Sequence, residues 1–195
     1  MEKDSRSRLL EAAIPLFAEK GFNAVSIREL SEKAGANSAL ISYYFGNKEG
    51  LYTAVLDFQF SRITTAVSNS HSLSPIERIR YYGKNAILIH QQCPHLMRYI
   101  QREVANPSVG FETVVSRHIA SAYHFLHAAI ANGIETGDFR SDLDPDYAAL
   151  SLAGIINFYF MTKPLVSTFL PPAKNLDHAY IMQALEIYLN GVINK

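Results

Sequence analysis

Apolar residues along this chain recur at intervals of three and four, and hardly anywhere in strict alternation. That spacing lines one face of an α-helix and argues against strands. Leu9, Leu10, Ala13, Leu16 and Phe17 form the first stripe, with Gly21 placed to end it. Pro15 sits inside this stripe, where the missing N–H costs about 3 kcal/mol and predicts a kink. Ser26-Ile27-Arg28-Glu29 then has the hydroxyl and carboxylate of a capping box. The helix it opens carries Ile27, Leu30 and Ala34 on one side, and Gly35 can take the left-handed conformation that turns a chain sharply. Asn37 or Ser38 caps a short third helix that ends by Gly46. Asn47 opens a longer one through Leu51, Val55 and Phe58.

Prolines punctuate the remainder. Ser74-Pro75, Cys93-Pro94 and Asp144-Pro145 each put a proline where a first helical residue belongs. Pro107 closes the helix that holds Glu103, and Phe111 to Ile134 makes one long helical pattern with Gly133 and Gly137 framing its end. Lys163-Pro164 and Pro171-Pro172 break the chain before a last helix over Leu176 to Ile193. No repeat, low-complexity run or flexible linker interrupts the pattern. The expected fold is all-α.

Composition narrows the functional classes. Of 195 residues, 48 % are hydrophobic, enough for a substantial core, and 18 basic side chains balance 18 acidic ones. A bulk electrostatic case for nucleic acid is absent, so any such case must rest on a local site. The one cysteine, Cys93, excludes an intramolecular disulfide and fits a reducing compartment. The charged amino terminus lacks the apolar run of a signal peptide. The uncharged stretch from Tyr147 to Thr162 is shorter than the roughly 20 residues a membrane span needs, and reads better as a buried interface helix. These signs point to the cytoplasm and to no membrane partner. Metalloprotease, nucleophile-elbow and phosphate-loop motifs are all missing, which leaves an enzyme as a remote alternative.

The second and third helices carry the informative chemistry. Leu30, Ala34, Ala36, Ile41 and Tyr44 fall on an inward side, with Gly35 in the turn. Asn37, Ser38, Ala39, Ser42 and Tyr43 point out, and their small size and polarity suit close approach to base edges and phosphates. Two helices so joined make a helix-turn-helix. Lys48 opens the fourth helix, where its ammonium and the free backbone amides can meet one phosphate; Ser26 and Arg28 can meet another. Tyr43 can hydrogen-bond a phosphate while its ring packs on sugar, and Asn37, Ser38 and Ala39 are left for base readout. The bland alternative is a helical hairpin whose polar face is only solvated, as in an adaptor that binds other proteins and not DNA.

The stretch "RLLEAAIPLFAEKGFNAVSIRELSEKAGANSALISYYFGNKEGLY" resembles the TetR family of transcriptional regulators in order and spacing, above all in its Tyr-Tyr-Phe group followed by Lys-Glu. The likeness covers residues 6 to 56 or so. It implies a homodimer with an amino-terminal three-helix helix-turn-helix domain over residues 1–50. A long helix joins this to a larger helical bundle, residues 51–195, for effector binding and dimerisation. Asn37, Tyr43 and Lys48 match the family pattern. Leu40, Ser42 and Tyr44 depart from it, since many relatives carry Thr or Ser, Tyr and His there, and the short helix has no basic residue. The partners implied are a near-palindromic double-stranded operator, a second copy of the chain and a small organic effector that releases the DNA.

Polar residues set into apolar helices are the effector candidates: Tyr99, Glu103, His118, Tyr123 and Asn157. The dimer is expected on the helices Asp144 to Lys163 and Leu176 to Ile193. His124 and His127 share a helical face, but no cysteine or carboxylate pair accompanies them, so neither a metal nor another cofactor is expected.

Overall fold

A computed structural model describes residues 4–68, 72–170 and 175–194; the Pro171-Pro172 break lies outside them. The described residues are helical apart from turns, loops and one isolated bridge. The chain divides into two compact units, and it visits the first one twice. Residues to Ser61 together with Pro94–His118 form the first unit; Arg62–Cys93 and Ile119 onward form the second.

In the first unit, α1 (Ser5–Lys20) is capped by Asp4, whose carboxylate accepts from the Ser7 N–H at 2.7 Å. It continues through Pro15 and ends at Gly21. α2 (Ile27–Ala34) begins at Ser26, whose hydroxyl accepts from the Glu29 N–H at 3.1 Å, as the capping pattern requires. The Glu29 carboxylate also takes a 2.5 Å bond from Lys20, which holds its pKa below the ordinary carboxylate value. Gly35 is left-handed (φ 58), and the chain turns into α3 (Ala39–Phe45). α4 (Lys48–Ser68) follows one short turn later, its first turn capped by the Asn47 side chain, which accepts from the Gly50 N–H at 2.8 Å. Leu9, Phe17, Leu30, Ile41, Leu51 and Val55 are fully buried and pack these helices together. Each such side chain contributes roughly 1.5–3 kcal/mol.

The returning segment adds α6 (Leu96–Ala105). It starts two residues after Pro94 and not at it, with His95 as its N-terminal flank. Phe111–Ser116 forms a π-helical turn before α7 (Arg117–Glu135), so the long helix expected from Phe111 has two geometries.

In the second unit, α5 (Pro75–Gln92) has a complete capping box between Ser74 and Glu77 and packs on α8 (Pro145–Val166) and α9 (Leu176–Val192). α8 passes through Pro164, where a break is expected from sequence. A proline so close to the carboxy-terminal end costs one backbone bond with little helix left to lose, and α8 stops at Val166. α8 is also long and apolar enough to cross a membrane by length and composition, with mean hydropathy 1.3, yet only 28 % of that window is buried within the chain. At the other end of the unit, residues beside Phe139 pair with the end of α9. The Arg140 N–H donates to Val192 O at 2.9 Å and the Asn194 N–H to Asp138 O at 3.0 Å.

Gly133 makes this closure possible. A Cβ there would lie 2.2 Å from the ring of Phe139, which is itself buried. Gly133→Ala is therefore expected to destabilise the protein by about 1–3 kcal/mol, as overpacking a core does. Thermal unfolding should show the loss, whereas Gly154→Ala, with open space around it, should not.

Candidate nucleic-acid interface

The residues predicted to face DNA are displayed on one short, firmly seated element. Ile41 anchors α3 in the core, while Asn37, Ser38, Ala39, Ser42, Tyr43 and Tyr44 are exposed. Tyr43 is 78 % exposed, with its ring and hydroxyl open to a partner. Tyr44 was expected inward; it lies at the exposed side, packed edge-on against Tyr43 at 4.9 Å and Phe45 at 6.4 Å. Ile27, expected on the buried side of α2, is likewise exposed. Both residues sit at the ends of short helices, where the facing helices no longer cover them.

Asn37 has two jobs available. Its Oδ1 accepts from the Ala39 N–H at 2.9 Å, so the side chain caps α3 and is held in place. The Nδ2 group remains to donate to a base edge. Lys48 is not a loose surface lysine: its Nζ lies 4.4 Å above the centre of the Phe22 ring, a cation–π contact that fixes the ammonium at the start of α4. Ser26 spends its hydroxyl lone pair on the α2 cap, and Arg28 shares its charge with Glu32 at 2.7 Å.

Two contributors escape a reading by sequence spacing. Arg6, on the exposed first turn of α1, stacks its guanidinium 5.2 Å over the ring of Phe45, at the end of α3. It thus brings a cation beside a recognition helix that has none of its own. Phe22 is the second, as the platform for Lys48. The only sequence signal for either is an arginine in the first turn of an amphipathic helix and an aromatic after a glycine, and neither is specific.

The effector candidates fall in both units. Tyr99, Glu103 and His118 belong to the first unit, Tyr123 and Asn157 to the second. Tyr99 is buried with its hydroxyl donating to Ile14 O at 2.6 Å, and burial pushes its pKa up. Glu103 is buried and accepts from the Tyr52 hydroxyl at 2.7 Å. His118 is buried with Nε2 3.3 Å from an Asp57 carboxylate oxygen, which Arg117 also approaches at 3.2 Å. In the second unit Tyr123 donates to Asp146, and the Asn157 amide donates to Ala153 O at 2.9 Å within α8. Asn157 also meets the Tyr82 hydroxyl, whose pKa burial pushes up to about 12. His90, stacked 3.8 Å from the Phe160 ring, is desolvated to a pKa of about 4 and so is neutral at pH 7. Among the described residues no cluster of histidine, cysteine and carboxylate groups could hold a metal ion.

Residues 9–55, the span of this displayed surface and its supporting helices, match the profile of bacterial regulatory proteins of the tetR family. This segment is a TetR-family helix-turn-helix domain. Across its whole length it is 24 % identical over 205 residues to a probable HTH-type transcriptional regulator of Bacillus subtilis, YttP, covering 98 % of this chain and 95 % of that one. Among solved structures, FadR of Bacillus subtilis in complex with stearoyl-CoA superposes with a TM-score of 0.77 at 16 % identity, covering 95 % and 98 % of the two chains. AibR in complex with isovaleryl coenzyme A and operator DNA gives 0.76 at 19 %, covering 94 % and 97 %. These last two share the fold. The chain carries this helix-turn-helix and is a DNA-binding transcriptional regulator.

Proposed function

We propose that the chain is a cytoplasmic repressor, not an enzyme, that binds a near-palindromic operator as a homodimer and leaves it when a small organic molecule binds. The observation that carries the DNA reading is the pairing of exposed Tyr43 with two pre-positioned cations, Lys48 on Phe22 and Arg6 on Phe45. Functionally, residues 1–50 supply the DNA contacts and residues 51–195 the effector site and the dimer. Lys48, Ser26, Arg28, Tyr43 and Arg6 address phosphates. Asn37, Ser38, Ala39, Ser42 and Tyr44 line the groove side.

Operator titration at several salt concentrations tests these roles. Lys48→Ala is expected to weaken binding to every sequence alike and to lower the salt slope by about 0.9, one phosphate's worth. Asn37→Ser, which keeps a capping oxygen but removes the Nδ2 donor, should change which operator sequences are preferred by about 1–3 kcal/mol per base pair read. Losses that are equal and blind to sequence in both variants would overturn the assignment.

The dimer reading is supported by α8. Tyr147, Leu150, Phe158, Met161 and Leu165 are exposed along one stripe with Gly154 between them, and Ile187 is exposed on α9. A second copy of the same helices covers such a stripe, and a two-fold pair presents its recognition helices to successive major grooves.

For the effector, support comes from the second unit, where Tyr82, Asn157, Tyr123 and neutral His90 are polar groups set among apolar helices. Polar groups in such surroundings suit an acyl or ring body with one polar end. The acyl thioesters held by the FadR and AibR structures are molecules of that kind. Asn157→Leu is expected to leave operator affinity intact and abolish release by the inducer, as read by fluorescence anisotropy with acyl-CoA thioesters of graded chain length. Undiminished release would move the site elsewhere.

A further inference from the structure

The end of α1 is held by a residue far from it in sequence. A helix leaves its last carbonyls without partners of its own, and they must find them elsewhere. At α1 two of them, Ala18 O and Glu19 O, accept from the Arg102 guanidinium, from Nε at 3.3 Å and from Nη2 at 2.8 Å. The third nitrogen, Nη1, lies over Gly21, where a Cβ would stand 2.6 Å from it. The guanidinium thus spans the last turn of α1 and the residue at which the chain leaves that helix. Tyr99, three residues earlier and on the same face of α6, adds a second anchor through its 2.6 Å bond to Ile14 O. All of these residues lie in the first unit.

The next residue after Gly21 is Phe22, the ring beneath the Lys48 ammonium. Phe22 is only half-buried, and its ring leans on Phe17 at 6.1 Å and Tyr52 at 5.1 Å. Where that ring lies depends on the direction in which the chain leaves α1, and Arg102 fixes that direction at both carbonyls and at Gly21. The chemistry suits the task. A cation at a helix carboxy terminus is favoured by the partial negative charge there. The planar guanidinium holds two acceptors at once in a rigid fork, which a lysine ammonium on its flexible stem does not.

We propose that Arg102 is a positioning residue for DNA binding: by closing the end of α1 it sets where Phe22 lies, and through Phe22 where the Lys48 ammonium stands. It acts through Lys48 and not by a contact of its own, so the proposal rests on the reading of Lys48 as a phosphate contact. α6 lies some 50 residues beyond the recognition helix in sequence, yet its side chain governs a cation at the DNA surface.

Operator titration over a range of salt concentrations tests this with four full-length proteins: the wild type, Arg102→Ala, Lys48→Ala and the double variant. Arg102→Ala is expected to weaken binding about five- to tenfold and to lower the salt slope by part of the ~0.9 that Lys48 accounts for. In the Lys48→Ala background the same change should cost less than about twofold and leave the slope alone. Arg102→Lys, a point charge that reaches one carbonyl and not both, should lie between wild type and Arg102→Ala, and it takes the place of the alanine variant in the same cycle if that one fails to fold. A residue needed only for stability would lower affinity by the same factor in both backgrounds without touching the slope. That result overturns the proposal, as does wild-type affinity and slope in Arg102→Ala. Lys48→Ala without effect on either quantity would remove the phosphate reading itself, and the proposal with it.

Discussion

Placing two carboxylates on the exposed stripe of α8, Leu150→Glu with Phe158→Glu, is expected to turn the protein into a folded monomer and to cost at least about a hundredfold in operator affinity. The two side chains are 58 % and 59 % exposed in the isolated chain, so neither is needed by the monomer's own core. Surface substitutions of that sort change folding by about 0.5 kcal/mol or less. Across a two-fold axis, however, each introduced charge meets its own symmetry mate or apolar surface. Desolvating four carboxylates without partners is far more costly than the apolar burial it replaces. Operator affinity then falls because a monomer holds one half-site only, and the effective concentration that a second half-site gains from linkage is lost. Sedimentation at micromolar concentration reads the first effect and gel retardation the second. A variant that stayed dimeric and bound DNA normally would place the dimer on another surface.

How much of this was legible in the sequence depended on how far apart the cooperating residues lie. Caps are local, and they were readable: Ser26, Asn37, Asn47 and Ser74 each accept the backbone N–H that their position in the sequence predicts. The inward face of α2 and α3 was readable at Leu30, Ala34 and Ile41, which periodicity places in the core. It failed at Ile27 and Tyr44, because period defines a face and not how far the neighbouring helix extends over it. The candidate effector residues fall in two units for a larger reason. The chain leaves the first unit at Arg62 and returns to it at Pro94, so residues on α6 close in sequence to the second unit belong with α1 and α4. Glu103 meets Tyr52, and Arg102 meets Ala18, across separations that no spacing rule reports. The cation platforms Phe22 and Phe45 were hidden in the same way: an aromatic residue advertises burial, and only the fold shows which charge rests on its face.

Phe17→Ala is expected to cost about 3–5 kcal/mol, a large part of the 5–15 kcal/mol by which domains are typically stable, and to abolish operator binding. Phe17 is fully buried in the first unit. Its ring meets Tyr52 edge-on at 5.0 Å and Phe22 at 6.1 Å, and Tyr52 and Phe22 touch each other in turn. Removing it leaves a void beneath both rings. Phe22 is the surface on which Lys48 is held, and Tyr52 is the donor that satisfies buried Glu103, so the damage reaches the DNA contact and a buried charge together. Ala cannot refill the space, and a void too small for water simply loses its contacts. Leu at the same position keeps most of the volume. Phe17→Leu should therefore cost roughly 1–2 kcal/mol, retain binding, and lose part of the salt slope only if Lys48 is displaced. Thermal unfolding monitored by circular dichroism, with operator titration at a temperature where each variant is folded, checks both halves. If Phe17→Ala melted within 1 kcal/mol of the parent, the aromatic cluster would not be what supports this helix-turn-helix, and the link from core packing to Lys48 would be wrong.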